Sequence, residues 1–164
     1  MRLKFVSYVM NITEEFYLTN LLFDDVEALA AVTASVVTHF SLSQVDFRSG
    51  RFSFGFEMTL MGLVEFNGLT FIRTQIAHPV SVIEYWSGVT MTNLLIQNTT
   101  GTHTVLRVDN GINEASIAIQ NLTVSETTID SISSIPVIAL EANTVDIANF
   151  QVLNSTCFTT FISI

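Results

Sequence analysis

The stretch Val89-Thr-Met-Thr-Asn93-Leu-Leu-Ile-Gln-Asn98 decides how this chain reads. Apolar and polar residues alternate up to Asn93, and the alternation resumes beyond it. Period-2 alternation marks strands with one buried face. Val89, Met91, Leu94 and Ile96 are therefore expected to point into a core. The pattern returns as Ser116-Ile-Ala-Ile-Gln-Asn121-Leu-Thr-Val-Ser125 and as Val145-Asp-Ile-Ala-Asn149-Phe-Gln-Val-Leu-Asn154. Upstream lie Leu63-Val-Glu-Phe-Asn67-Gly-Leu-Thr-Phe-Ile72 and Phe16-Tyr-Leu-Thr-Asn20-Leu-Leu-Phe23. The slots at Asn67, Asn93, Asn121 and Asn149 are almost evenly spaced. A weaker copy, Val36-Val-Thr-His39-Phe-Ser-Leu42, puts His39 in the slot.

A second recurrent strand lies between these copies: Phe52–Glu57, Val80–Tyr85, Val105–Asp109 and Val137–Glu141. Three short strands in each coil of about 26–28 residues predict an all-β solenoid, a parallel β-helix. A lone coil cannot bury its inner face, whereas coils stacked about 4.8 Å apart bury a continuous apolar column. Ile117, Ile119, Leu122 and Val124 are expected to stack on the layer below. The bend between two strands favours a residue that tolerates left-handed backbone, and Asn does so best after Gly. Its amide both donates and accepts, so Asn67, Asn93, Asn121 and Asn149 are read as a hydrogen-bonded structural ladder.

These Asn-terminated strand pairs resemble the right-handed parallel β-helix of the pectin-lyase-like superfamily. The resemblance covers residues 50 to 164 well and 10 to 50 less well. It implies the architecture more than an activity. The chain is accordingly expected to be a single β-helix segment over 1–164, with irregular coils over 10–50 and regular ones over 51–164. Phe158 to Ile164 reads as an uncapped strand, which suggests a piece of a larger surface or extracellular protein. Residues 24–37 are the soft spot: a distorted coil is favoured, with a short Asp-capped helix as the alternative.

Composition limits the function. The 164 residues are 49% hydrophobic and only 13% charged, with six Lys+Arg against 15 Asp+Glu and a net charge of -9. Such a chain has the apolar content for one core. It lacks the clustered cations of a nucleic-acid surface or polybasic membrane anchor. No apolar run is long enough for a spanning helix. Arg2 and Lys4 precede an apolar run that Asn11 cuts short, below the length of a signal-peptide core. The single cysteine, Cys157, forbids an internal disulfide and reads as a buried or idle thiol. Sequons at Asn11, Asn98, Asn121 and Asn154 point weakly to a secreted or cell-surface location. The ladder reading removes Asn121 from that set.

Glu57, Glu84, Asp109 and Glu141 close the second strand, each a short and slightly variable distance before its Asn slot. Alternation turns them outward, leaving Phe54, Phe56, Ile83, Tyr85, Leu106, Val108, Ile138 and Leu140 inward. Stacked carboxylates repel unless solvated or bridged by a cation. The plain reading is a row of solvated strand-end acids. The functional one is a saccharide or Ca²⁺ cleft, with Arg107 beside Asp109 on the same face. In pectin-lyase-like enzymes, the resemblance implies, such a face carries the cleft. Trp86, next to Tyr85, would sit at its edge, although a packing role suits it better.

The hydrolase signature of that superfamily is missing; only Asp24-Asp25 matches any part of it, and a solvated turn explains that pair. His39, His78 and His103 fit no metal spacing and read as surface-loop residues. No catalytic residue or metal ligand is assigned. The expectation is a non-catalytic scaffold or adhesion segment, with glycans or neighbouring coils of a parent chain as partners. The alternative is a fragment of a polysaccharide lyase or hydrolase with an acidic, possible Ca²⁺-binding cleft.

Overall fold

The computed structural model describes residues 9–11, 14–111, 115–129, 136–157 and 162–164. Every regular element among them is a strand: β1 (Val9–Asn11), β2 (Glu15–Asp24), β3 (Glu27–Arg48), β4 (Arg51–Ile72), β5 (Gln75–Gln97), β6 (Leu106–Gly111), β7 (Ser116–Ser125), β8 (Thr128–Ile129), β9 (Ile138–Leu140), β10 (Thr144–Leu153), β11 (Thr156–Cys157) and β12 (Ile162–Ser163). All pairings are parallel, in the order β1-β3-β4-β5-β6-β9-β12, with β2 on β3 and β10 on β7 on β5. Each strand thus lies over its own counterpart one coil away. The chain is a parallel β-solenoid of about five turns.

Each long strand runs around the coil because single left-handed residues turn it without ending its hydrogen bonding. One bend uses Val36, Leu60 and Glu84; the next uses Asn20, Gln44, Gly68, Asn93, Asn121 and Asn149; the third uses Asp25, Ser49, Arg73, Asn98, Glu126 and Asn154. The coils are therefore three-sided, as the repeat predicts. Their length is not uniform. Glu27 pairs with Arg51 and Arg51 with Gln75, a 24-residue coil, whereas Gly88 pairs with Ser116 and Ser116 with Thr144, a 28-residue one. The switch begins at a register shift between Met61 and Leu63, where β5 carries an extra residue. The soft spot at residues 24–37 is not a helix: from Glu27 on it belongs to β3, which runs to Arg48 as one continuous strand in a full coil of the shorter kind.

The core is the shared bore. Val89, Met91, Leu94 and Ile96 lie over Ile117, Ile119, Leu122 and Val124, and all eight are buried, as alternation requires. One inner column is a run of stacked rings: Phe23 on Phe47 at 4.7 Å and Phe47 on Phe71 at 4.6 Å between centroids. Such pairs add about 0.5–1.5 kcal/mol each beyond their buried area. Phe56, Tyr85, Leu106, Val108, Ile138 and Leu140 are inward as expected. Phe54 and Ile83 are not: both are only half-buried. Phe54 stacks on the His78 ring at 5.1 Å. Ile83 is the residue just before the Glu84 bend, in the column of Thr59 and Asp109.

Along one corner the amides form a ladder. Asn93 Nδ2 donates to Asn67 Oδ1 at 3.3 Å, Asn121 to Asn93 at 2.9 Å and Asn149 to Asn121 at 3.0 Å. Asn67 is a rung but not the bend residue. Gly68 takes the left-handed position at φ 72°, and Asn67 pairs with Thr92, whose hydroxyl donates to it at 3.0 Å. His39 is not in the slot either. Gln44 is, because the coil is shorter there, and His39 instead pairs with Leu63 on the preceding side.

Candidate functional site

The four acids do not share one column. Glu57 pairs with Ser81, which pairs with Arg107. Glu84 is itself a bend residue, at φ 59°. Asp109 pairs with Ile83. Only Asp109 and Glu141 are brought together: Leu140 pairs with Val108, and the Glu141 N–H donates to the Val108 carbonyl at 2.9 Å, so Glu141 follows beside Asp109. Arg107 grips the same Asp109 oxygen through Nε at 3.0 Å and Nη2 at 2.6 Å. A carboxylate held this way is an ion-paired group with less capacity left for a cation. Among the described residues, no three His, Cys, Asp or Glu side chains are placed to share a metal ion. Trp86 is 40% exposed, next to the Glu84 bend.

The concave feature is elsewhere, at the third bend. An open furrow of about 730 Å³ runs across four coils there. The bend column Asp25, Ser49, Arg73, Asn98 forms one rail, and Glu27, Arg51, Gln75, Thr100 the other, with Gly50 and Thr74 between. It continues toward Leu29, Ser53 and His103. Main-chain hydrogen bonds pin the rails coil to coil, with Ser49 donating to the Ile72 carbonyl and Gln75 to that of Gly50.

The electrostatics single this furrow out. Arg48 and Arg107 each hold a carboxylate within hydrogen-bond range. Arg51 reaches Glu27 only at 3.9 Å, with both side chains about two-thirds exposed, a contact worth little in water. Arg73 is exposed and has no ion pair among the described residues. Both weakly neutralised arginines thus border the furrow, beside two acids, two amides and three hydroxyls. This mixture can hydrogen-bond a polyhydroxylated ligand and pair with a carboxylate on it.

The sequence reading missed Arg51 and Arg73. The signal was present: Asp25, Ser49 and Arg73 recur at a constant interval, one coil apart, but none of them announces a bend as Asn does.

A second polar group sits on another side. His39 Nε2 lies 2.7 Å from Glu65 Oε2, and its Nδ1 lies 3.3 Å from the Tyr17 hydroxyl, which donates to Glu15 at 2.9 Å. The bond to Glu15 holds the Tyr17 pKa above its ordinary value, since ionising Tyr17 would break it and oppose the Glu15 charge.

Of the sequons, Asn98 and Asn154 are exposed at bends, while the Asn121 amide is engaged on both sides by the ladder. The sequon at Asn11 extends outside the described residues. No described helix is long and apolar enough to cross a membrane. No protein-family model matches the chain, and no curated protein or solved structure matches it either.

Proposed function

We propose that the chain is a non-catalytic β-solenoid segment of a surface or secreted protein, akin to pectin-lyase-like repeat regions, that serves as a rigid scaffold and binds glycans through the furrow at its third bend. The observation that carries this reading is the placement of Arg51 and Arg73. In a chain of net charge -9, the two described arginines without a close carboxylate both border one furrow. Rigid elements hold binding groups better than loops do, and the bends here are locked into the sheet on both sides. The exposure of Asn98 and Asn154 supports an extracellular setting.

A glycan array followed by calorimetry on the wild type and on Arg73→Ala tests it. Binding of an acidic or polyhydroxylated glycan that weakens about tenfold in Arg73→Ala is expected, the loss typical of one charged hydrogen-bonding group. No glycan binding, or measurable turnover of a polyuronide, sinks it. The second reading, a lyase or hydrolase fragment with a Ca²⁺ site, draws on the one acidic pair that the fold assembles, Asp109 with Glu141. Calcium titration of the wild type and Glu141→Gln distinguishes the two.

A further inference from the structure

His78 and His103, one coil apart in the chain, meet on successive coils. The His103 N–H donates to the Ala77 carbonyl at 2.9 Å. The Arg51 N–H donates in the same way to Val26, the residue before its partner Glu27. By that parallel pattern His103 lies in register with His78. The two rings are 5.9 Å apart between centroids, with their planes 54° from one another. Both side chains are half-buried. Each is supported: the Phe54 ring stacks on His78 at 5.1 Å, and the main chain of His103 is bonded to β5 at Ala77.

This spacing suits a shared metal ion. Two imidazoles that each place a nitrogen about 2.0–2.1 Å from one ion have centroids about 5–6 Å apart. Rings at the observed separation and tilt can bring one nitrogen each to a common point by rotation about χ2. Imidazole selects Zn²⁺, Cu²⁺ and their neighbours, whereas Ca²⁺ takes oxygen ligands. The net charge of -9 draws cations to the chain. Arg107, whose charge bears on His78, is itself tied to Asp109 at 2.6 Å.

We infer that His78 and His103 together hold one divalent transition-metal ion, Zn²⁺ or Cu²⁺, through one imidazole nitrogen each. Among the described residues no third His, Cys, Asp or Glu completes the set. The remaining coordination positions are therefore open to water or to an oxygen of a bound molecule, as in sites that are not purely structural. His103 lines the continuation of the furrow, so those positions are within reach of what the furrow holds. The site does not depend on glycan binding there. His39 has no part in it, being engaged with Glu65 at 2.7 Å on another side of the coil.

Titration calorimetry with zinc chloride and electron paramagnetic resonance of the Cu²⁺ complex test this. Wild type should bind Zn²⁺, and its spectrum at one equivalent of Cu²⁺ should show splitting from two imidazole nitrogens. His78→Gln and His103→Gln should each weaken Zn²⁺ binding by more than about tenfold, a loss that even an outer partner of a ligand can cause. Each should leave one nitrogen in the Cu²⁺ spectrum. His39→Gln should change neither readout. Circular dichroism and the metal-free urea midpoint establish that each variant is folded, and the wild-type spectrum counts the nitrogens even where a variant is not. A wild type that binds no Zn²⁺ overturns the inference. So does a Cu²⁺ spectrum with fewer than two imidazole nitrogens, or a folded His78→Gln or His103→Gln that binds as tightly as wild type.

Discussion

The Tyr85 hydroxyl donates to the main-chain carbonyl of Glu141 at 2.7 Å, joining β5 to the residue just past β9, far along the sequence. Tyr85 is fully buried in the bore, so its proton has no solvent to replace that acceptor. Burial, with the charges of Glu141 and Asp109, pushes its pKa up to about 12.

Tyr85→Phe should lower stability by about 1 kcal/mol, the net worth of a part-buried hydrogen bond. Alkaline unfolding gives a second check. Tyr85 is neutral in both states below its ordinary value of 10.0, and its contribution is fully present there. Between pH 10 and about 12 the unfolded chain ionises while the folded one does not, so stability falls as pH rises. Urea midpoints measured across that window should drop in the wild type and drop less in Tyr85→Phe.

His78 responds in the opposite pH direction. It lies between the Phe54 ring at 5.1 Å and the His103 ring at 5.9 Å. Burial first, then His103 and Arg107, lower its pKa below 6.5. The unfolded chain therefore takes up the proton first on acidification. The contribution is present above pH 6.5 and is lost as pH falls through the depressed folded value. Thermal melts from pH 7 to pH 4 should show this part of the acid loss disappear in His78→Phe.

Asn121 is the central rung of the ladder, donating to Asn93 and accepting from Asn149, at φ 57°. Asn121→Ala removes both bonds and puts a Cβ without polar compensation in the left-handed region, for a loss of about 2 kcal/mol. Asn121→Gly removes the bonds alone and should lose about half as much. Equal urea midpoints for the two variants would mean that backbone strain contributes nothing here.

Gly62 sits at the register shift where the coil lengthens. A Cβ there would lie 2.0 Å from the Thr38 carbonyl oxygen, which is backbone and cannot swing aside. Gly62→Ala should destabilise by more than about 3 kcal/mol, beyond ordinary overpacking. A near-native midpoint would show that β3 and β4 do not approach so closely.

The strands around Asn93, Asn121 and Asn149 were legible because both signals there are local. Alternation assigns faces through the pleat, and Asn advertises a left-handed bend through its own side chain. The bends at Val36, Leu60, Glu84 and Arg73 carry no such advertisement: their left-handed backbone is imposed by the stacked coils on either side. A Val in that region is disfavoured locally, so no propensity argument would place it there. The shorter period of the first coils was hidden for this reason, and His39 was assigned to a slot that Gln44 fills.

The acidic column failed through register, not chemistry. Glu57 closes no strand, Glu84 turns the chain, and Asp109 and Glu141 alone meet. A shift of one position between coils moves a side chain to another column or face, and nothing in a single strand reports its register against the next. The same holds for the furrow, where Arg51 and Arg73 converge only because successive coils place their bends side by side.

The sequence by itself determined the class of fold, the inward faces of the Asn-bearing coils and the rungs of the ladder, since each follows from the covalent pleat and from what an Asn amide can bond. Only the tertiary structure decided coil length, the residues that bend against their preference and which charges share a furrow. Those depend on the register between coils, a quantity set by packing between strands that a whole coil of chain separates.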